Sequence, residues 1–372
     1  MKKLLLSFFI GIALFVEASS YDPALHPRSS QRSRCPPPSP IKKNEVFCSI
    51  DLLIWDAREE GLEYAYKNSG TQNNQELSSL EPNSKFEPAF RLGLGGFLPY
   101  DSWTLGALYT FYHTERHSSG NLDFNQTGAL GPGIIAVWTY PSAFSNNNNG
   151  ARFISAKSEW KLHSSFLDLA LSRPCNIASY FTTTPSFGVR SAWLHQRYGV
   201  EYGNGNLVHF GTGNQVTVLS SGINMNCDSN NIGLLFGCGF KWTLAKQWNL
   251  FTDLSGAFLA SHFESKREEI DLFQNLAGAL QTQSIAIDSK YWTFRPQAQI
   301  ALGIRFTDTF RYGARLVRYR FSAAYEAQMW WKQNQLLRYI DVQNNFSSGA
   351  NVTPTQGDLM FHGVDLETGF DF

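Results

Sequence analysis

Charged side chains recur at every second residue in the last third of the chain. Arg318 and Arg320 are two residues apart, and so are Asp365 and Glu367. In a β-strand this spacing places both members of a pair on the same face. Rows of fixed charge act on ions through their electric field, which is the chemistry of a selective pore.

The same alternation assigns a larger set of polar residues to one inward face of the predicted strands. The predicted pore-lining residues are Arg190, Arg295, Gln297, Gln299, Arg305, Arg318, Arg320, Glu326, Asp365 and Glu367. The arginines favour anions, whereas the carboxylates reduce that preference. A second role fits the pattern equally well, namely a ladder of salt bridges that braces the wall.

Catalytic and metal-binding signatures are absent from the sequence. It contains no HExxH, GxSxG, Walker or paired CxxC motif. His113 and His117 flank Glu115, but two histidines four residues apart converge on one ion in a helix, and this region reads as a strand end. We therefore expect no enzyme activity, no cofactor and no metal site. The alternative is an outer-membrane enzyme with its site among the loops, although no sequence motif supports it.

The segments that carry these residues alternate apolar and polar side chains. The clearest are residues 103–111, 232–242, 297–306, 317–328 and 360–372. Each segment predicts a strand with one apolar face and one face of small or polar side chains. Leu302 and Val317 are on the predicted apolar faces of their strands. Tryptophans near segment ends predict interfacial girdles on the apolar side: Trp103, Trp242, Trp292, Trp330 and Trp331.

These segments predict an all-β fold, a transmembrane antiparallel β-barrel with long extracellular loops. Roughly 325 residues follow Val46, and each membrane strand needs about 9 to 11 residues plus a share of a turn. This arithmetic predicts about 12–18 strands, with 16 as the central value. A barrel of that size encloses more space than side chains fill, so we expect a water-filled lumen.

The chain divides into three predicted parts. Residues 1–18 predict a cleaved signal peptide, because a basic start precedes an apolar run and Val16-Glu17-Ala18 suits cleavage. Residues 19–45 are rich in Pro, Ser and Arg and predict a flexible periplasmic leader. Residues 46–372 predict the barrel. With a net charge of zero, the expected partners are outer-membrane lipid, ions and small hydrophilic solutes, not nucleic acid; self-association into a homo-oligomer is left open.

The intervening segments are polar, and one has a different period. Extracellular loops are predicted at residues 67–85, 115–133, 141–150 and 343–357. In residues 264–283, Ile270, Phe273, Leu276, Ala277 and Leu280 recur at near-helical spacing, which predicts a short helix. It either lies on the surface or constricts the lumen.

The cysteine count is odd, with residues Cys35, Cys48, Cys175, Cys227 and Cys238. An odd number in an oxidising compartment leaves at least one thiol free or joined between chains. Cys238 lies among the apolar residues of its strand, so it is the candidate for the free thiol.

Several motifs resemble those of the major-outer-membrane-protein-like (MOMP-like) pore-forming family. They are Phe166–Leu171, Thr184-Pro185-Ser186-Phe187-Gly188-Val189-Arg190, Gly233–Trp242 with the following Trp248–Phe263, Tyr325–Asn334 and Gly357–Phe372. The resemblance covers most of residues 46–372. It implies an outer-membrane barrel porin of intracellular or environmental Gram-negative bacteria. Chlamydial members are richer in cysteine, so the disulfide cross-linking of that branch is not expected here.

The residues and the resemblance together predict an outer-membrane porin that passes ions and small hydrophilic solutes by passive diffusion. The alternative is an adhesin or structural barrel, whose lumen is plugged and whose loops bind another surface.

Overall fold

The computed structural model describes most of residues 46–372, and the statements below concern the described residues alone. They are 46–70, 76–98, 103–122, 133–139, 152–205, 207–210, 214–275, 277–312, 315–340 and 351–372. The predicted signal peptide and leader lie outside these ranges. Among the residues described, no helix has the length and apolar character needed to cross a membrane.

The described chain is built from β-strands joined by turns and irregular segments. In chain order the strands are β1 (Val46–Glu59), β2 (Ala65–Asn68), β3 (Leu77–Leu80), β4 (Phe86–Phe97), β5 (Thr104–Asn121), β6 (Gly133–Ala136), β7 (Arg152–Phe153), β8 (Ser155–Ser172), β9 (Cys175–Ala178), β10 (Phe181–Gly203), β11 (Leu207–Phe210), β12 (Asn214–Thr243), β13 (Trp248–Asn275), β14 (Leu280–Tyr312), β15 (Arg315–Asn334), β16 (Leu337–Ile340), β17 (Asn351–Pro354) and β18 (Gly357–Asp371).

Ten of these strands form a closed antiparallel barrel. Their order around the ring is β1, β4, β5, β8, β10, β12, β13, β14, β15, β18 and back to β1. At the closure, the amide of Phe372 donates to the carbonyl of Val46 at 2.9 Å, and the amide of Val46 donates back at 3.3 Å. Because every barrel strand has two neighbours, the ring has no free edge. The predicted all-β barrel is confirmed.

The ring has ten strands, so the prediction of 12–18 strands, centred on 16, is wrong. The error lies in the assumed strand length. Strands β12, β13 and β14 have 30, 28 and 33 residues, whereas about 9 to 11 residues suffice to cross a bilayer. The same chain length therefore makes fewer and longer strands.

The predicted helix in residues 264–283 is also wrong. The segment forms the end of β13 and the start of β14, which pair from Trp248 against Phe306 to Gln274 against Leu280. Gly278 has a φ of +83°, which closes the hairpin in a conformation that glycine adopts without strain. Strand alternation placed Ile270 and Leu280 outward, and their spacing imitated a helix. Leu276 lies outside the described residues.

The outer wall of the barrel carries the predicted apolar faces. Leu302 is 53 % exposed, whereas its neighbour Ala301 is 7 % exposed and faces inward. Val317 departs from the prediction, because it is buried and Leu316 is exposed in its place. Cys238 is a free thiol, as its position on the apolar face predicted.

The two ends of the barrel differ, and we name them by what they carry. The terminal end holds Val46 and Phe372 and has short connections, such as residues 244–247 between β12 and β13. The loop end has long connections at residues 60–85, 122–154 and 335–356.

Towards the loop end the outward side chains change from apolar to charged. On β13 the outward series continues from Phe258 through Glu264, Lys266 and Glu268. Lys290 on β14 forms an ion pair with Glu264 at 3.1 Å. Charged outward side chains belong in water, so this part of the wall projects beyond the apolar band.

The long connections contain structure of their own. Strands β2, β3, β6 and β7 form a small antiparallel sheet from the first two connections, and β16 pairs with β17 in the last one. Trp138, Leu336 and Leu337 in these connections are buried. Residues 115–121, predicted as loop, belong to β5, while residues 141–150 lie outside the described chain.

Candidate functional site

The barrel lumen begins at the terminal end with a cavity of about 880 Å³, which we call the vestibule. Five cations line it, against two carboxylates. The cations are Lys241, Lys246, Arg305, Arg318 and Arg320, and the carboxylates are Asp308 and Asp371. The vestibule therefore has an excess of positive charge.

The arginines of the vestibule are engaged in ion pairs. Arg305 contacts Glu367 at 3.0 Å, and both Arg318 and Arg320 contact Asp371, at 3.4 and 3.2 Å. Arginine side chains in such pairs brace neighbouring strands and also keep part of their positive charge facing the cavity.

Two lysines complete the positive lining. Within the described part of the chain, neither Lys241 nor Lys246 has an ion-pair partner. Their charge is therefore the least compensated in the vestibule. The predicted pore-lining residues include neither lysine, although strand alternation places Lys241 on the lumen face of its strand.

A second cavity, of about 400 Å³, lies deeper in the lumen and shares Arg305 and Arg320 with the vestibule. Arg190 lies at its wall and forms a bidentate pair with Asp168, at 2.6 and 2.5 Å. Its guanidinium also donates to the side-chain oxygens of Gln297 and Gln299, at 2.7 and 3.1 Å. The contacts from β10 to β14 pass over the two intervening strands and so cross part of the lumen.

Gln299 connects this group to a second buried arginine. Its amide donates to Glu326 at 2.9 Å. Arg91 on β4 donates to both oxygens of Glu326, at 3.0 and 2.9 Å, and to Asp365 at 3.0 Å. We name this hydrogen-bonded chain, from Asp168 to Arg91, the polar layer. It joins strands from opposite parts of the ring and crosses the lumen.

Sequence reasoning missed Arg91 and Asp168 as members of the polar layer. Each was visible as a charged residue between two apolar ones, since Arg91 lies between Phe90 and Leu92. A charge in the inward phase of an otherwise apolar strand was the signal.

Arg295 is inward and buried, but it lies apart from the polar layer. Its guanidinium lies 4.9 Å from the centre of the Phe263 ring and donates to the carbonyl of Lys332. It therefore belongs to the loop-end half of the lumen. Eight of the other nine predicted residues lie in the vestibule or the polar layer, and Glu367 lines the second cavity beside Arg305.

Beyond the polar layer, aromatic side chains fill the lumen. Phe166 on β8 stacks on Trp330 of β15 with ring centres 5.1 Å apart, although these strands lie five positions apart in the ring of ten. Phe361 contacts Phe166, Trp55 and Tyr112 at 5.9, 5.6 and 5.5 Å. We name these five residues the aromatic layer. Contact between opposite walls closes the lumen at this height.

Trp330 therefore corrects the prediction of an interfacial girdle residue. It is 1 % exposed and lies inside the barrel. Its indole nitrogen donates to the side chain of Gln328 at 3.4 Å. Trp330 is in the same phase of its strand as the inward residues Glu326 and Gln328, and this phase correctly indicates an inward side chain. Its position near the end of a segment was the weaker signal.

Inward-folded connections cover the aromatic layer on the loop side. The hydroxyl of Tyr198 donates to the carbonyl of Leu62 at 2.6 Å, and the indole of Trp138 donates to the carbonyl of Glu63 at 2.8 Å. Burial raises the pKa of Tyr198 well above its ordinary value, so the hydroxyl remains a proton donor. These bonds tie the first two connections to the barrel wall.

A fully buried ion pair holds the same cover from the other side. Arg267 on β13 contacts Glu269 at 2.7 Å and donates to the carbonyl of Leu337 at 3.1 Å and to that of Trp138. A buried arginine without such partners would be strongly destabilising. The pair thus fixes two separate connections to one strand.

The closed antiparallel ring, its outward apolar band and its inward charges define a transmembrane β-barrel of the outer-membrane class. A family model described as "Legionella pneumophila major outer membrane protein precursor" matches residues 38–372. The chain belongs to this family. It is accordingly an outer-membrane protein of a Gram-negative bacterium.

Known structures with similar architecture are distant in sequence. The outer membrane protease OmpT from Escherichia coli has 8 % identity over 88 % of this chain and 96 % of its own, with a TM-score of 0.34. A Pseudomonas aeruginosa FadL homologue has 9 % identity over 89 % and 90 %, with a TM-score of 0.28. At these TM-scores the likenesses support no inference about activity. No protein of curated function matches the chain.

Proposed function

We propose that this protein is a narrow diffusion channel for ions and small hydrophilic solutes, which the aromatic layer closes in the conformation described here. One observation supports the proposal most: a charged, hollow lumen runs from the terminal end to the polar layer. The proposal assigns no catalytic residue.

The physical argument concerns the cost of inward charge. Ionisable side chains are costly to remove from water, and a barrel that served only as an anchor could fill its lumen with apolar side chains. In the loop-end half the aromatic layer around Phe166 and Trp330 fills the lumen, and the buried Arg267 and Glu269 pair with each other. The terminal half keeps a hollow, charged wall, which suits hydrated solutes.

The ring size limits what passes. Eight-stranded barrels have interiors that side chains fill, whereas barrels of about 16 strands leave an aqueous channel. A ring of ten strands is close in size to the eight-stranded barrels. We therefore expect passage of ions and the smallest solutes, with a conductance well below that of a 16-stranded porin.

The test is single-channel conductance of the refolded chain in a planar bilayer under a salt gradient. Discrete current steps that close spontaneously would support a channel with a closed state. Complete silence of an inserted, folded barrel, at every voltage that the bilayer withstands, would refute it.

Selectivity provides a second test, because the vestibule has an excess of positive charge. We expect a preference for anions and a shift of the reversal potential towards cations in Lys241→Gln/Lys246→Gln. Arg305→Ser/Arg318→Ser should shift it in the same direction and at least as far, since it removes two positive charges and takes one cationic partner from each of two carboxylates. A reversal potential unchanged in both double variants would leave these residues a structural role only.

A second candidate function is a binding barrel, in which the lumen stays closed and the projecting wall or loops bind another surface. The aromatic contact between opposite walls favours it. Persistent silence in the bilayer, together with saturable attachment of the purified protein to a target surface, would select this candidate.

A further inference from the structure

Three histidines form a row on the outer wall, just beyond the apolar band. In the strand registers His113 of β5 lies opposite His163 of β8, and His163 lies opposite His195 of β10. All three are in the outward phase of their strands, which also contains the exposed Glu115 and Trp193. The row joins three adjacent strands and takes no part in the lumen.

The rings of the row are close together. Those of His113 and His163 stack with centres 4.0 Å apart, and those of His163 and His195 are 6.3 Å apart. His163 is thus within reach of both neighbours. Directly opposed residues of an antiparallel pair have Cβ atoms about 5 Å apart, and His113 and His195 lie two strand spacings, about 10 Å, from each other. Rotation of these two outer side chains towards His163 is what brings three ring nitrogens onto a common point.

The ring nitrogens are prepared for coordination. Nδ1 of His195 is hydrogen-bonded to a carboxylate oxygen of Asp228, and Nε2 accepts from Nε of Arg197 at 3.1 Å. Nε2 therefore carries a lone pair, which a metal ion can take by displacing the Arg197 guanidinium. The carboxylate of Asp228 orients the ring, as carboxylates do behind metal-bound histidines. Nδ1 of His113 is shielded from solvent and has no hydrogen-bond partner within the described chain.

We propose that His113, His163 and His195 form a binding site for one divalent transition-metal ion on the outer face of the barrel. Imidazole nitrogens suit zinc, copper and nickel. Three histidines and a water molecule complete the tetrahedral sphere that Zn²⁺ adopts. Asp228 is the positioning residue of this site and not a ligand.

A neighbouring cluster offers a rival set of ligands. Glu115, His117 and Glu159 have potential ligand atoms within 4.8 Å of one another. However, the ammonium of Lys161 already lies 3.0 Å from Glu115 and 2.5 Å from Glu159. In the imidazole row the neighbouring cation is Arg197, which makes a single hydrogen bond to His195 at 3.1 Å, whereas Lys161 forms ion pairs with both carboxylates of the rival cluster, so we assign the site to the row.

The test is isothermal titration of the full chain, without a polyhistidine tag, with ZnCl₂ in detergent micelles at pH 7.5. We expect one equivalent to bind, and His163→Ala to abolish binding because it removes the central ligand. Asp228→Asn should weaken binding about 10- to 100-fold, as loss of a carboxylate behind a ligand does. Binding should weaken as the pH falls, because protons compete with the metal ion for the imidazole nitrogens.

The matched control is His262→Ala, which removes an outward histidine on β13 that contacts Trp292 instead of the row. Retained binding in this variant and loss in His163→Ala support the site. Loss in Glu115→Gln/Glu159→Gln with retention in His163→Ala would overturn the assignment in favour of the rival cluster. Absence of stoichiometric binding, or binding that survives His113→Ala/His163→Ala/His195→Ala, would overturn it as adventitious.

Discussion

At the residue scale, one buried acid of the loop-end half, Asp271, has a strongly raised pKa. Asp271 lies on β13 beyond the apolar band, fully buried beside Glu269. Burial, reinforced by the charge of Glu269, raises the pKa of Asp271 from 3.8 to about 7. The fold therefore favours the protonated carboxyl, and its stabilising contribution is complete below about pH 4 and is lost as pH rises through about 7.

We expect Asp271→Asn to remove this pH dependence. The variant should match the wild type at pH 4 and exceed it at pH 8 by about 2–4 kcal/mol in free energy of unfolding, since each unit of pKa is worth about 1.4 kcal/mol. Unfolding in detergent micelles across this pH range measures the difference. Asp288→Asn, which removes an exposed carboxylate from β14, is the control; equal behaviour of the two variants would contradict the prediction.

At the scale of the elements, the strands of this barrel are longer than the membrane is thick. One stretch of each strand faces lipid, and the rest continues into water with charged outward side chains such as Glu264 and Lys290. The outward side chains of one strand therefore face lipid along one stretch and water along the rest. Where a residue lies along the strand decides the cost of placing a charge there.

Leu302 and Leu244 offer a matched comparison of these positions. Both are exposed, at 53 % and 65 %, but Leu302 lies in the middle of β14 and Leu244 in the turn at the terminal end. We expect Leu302→Arg to destabilise the inserted barrel by about 2–4 kcal/mol and Leu244→Arg by at most about 1 kcal/mol. Reversible unfolding from lipid vesicles measures both. Equal costs would show that the lipid face is assigned wrongly.

At the scale of the whole molecule, the lumen has a hollow charged half and a filled half, which the aromatic layer closes. The boundary between them is the polar layer, where Gln299 joins Arg190 to Glu326. The filled half depends on contacts between opposite walls, above all that of Phe166 with Trp330. Closure is thus a property of the closed ring and of no single strand.

We expect Phe166→Ala/Trp330→Ala to raise the open probability or the conductance several-fold, because it removes the aromatic contact across the lumen. Planar-bilayer recordings measure the change, and heat-modifiable migration in gels checks that the barrel folds. Trp292→Ala, which removes an outward tryptophan of similar size, should leave the current unchanged. Identical currents in the double variant and the wild type would mean that the aromatic layer is not the closing element.

The sequence was sufficient for the fold class and for the faces of the strands. A strand directs alternate side chains to opposite sides, so the pattern around Leu302 and Arg305 identified lipid and lumen without tertiary information. Strand number was not accessible, because alternation continues unchanged where β13 and β14 leave the membrane. For the same reason the outward spacing of Ile270 and Leu280 resembled a helix.

Only the closed ring decided which inward residues meet. Arg190 and Gln297, or Phe166 and Trp330, lie on strands that are not neighbours in the ring, and their contact depends on strand order, register and ring size. The row His113, His163 and His195 likewise arises from the register of three strands. Alternation is a local property of the backbone, whereas closure of the lumen requires side chains from opposite walls to touch. Whether these side chains touch is therefore determined only when the tenth strand closes the ring.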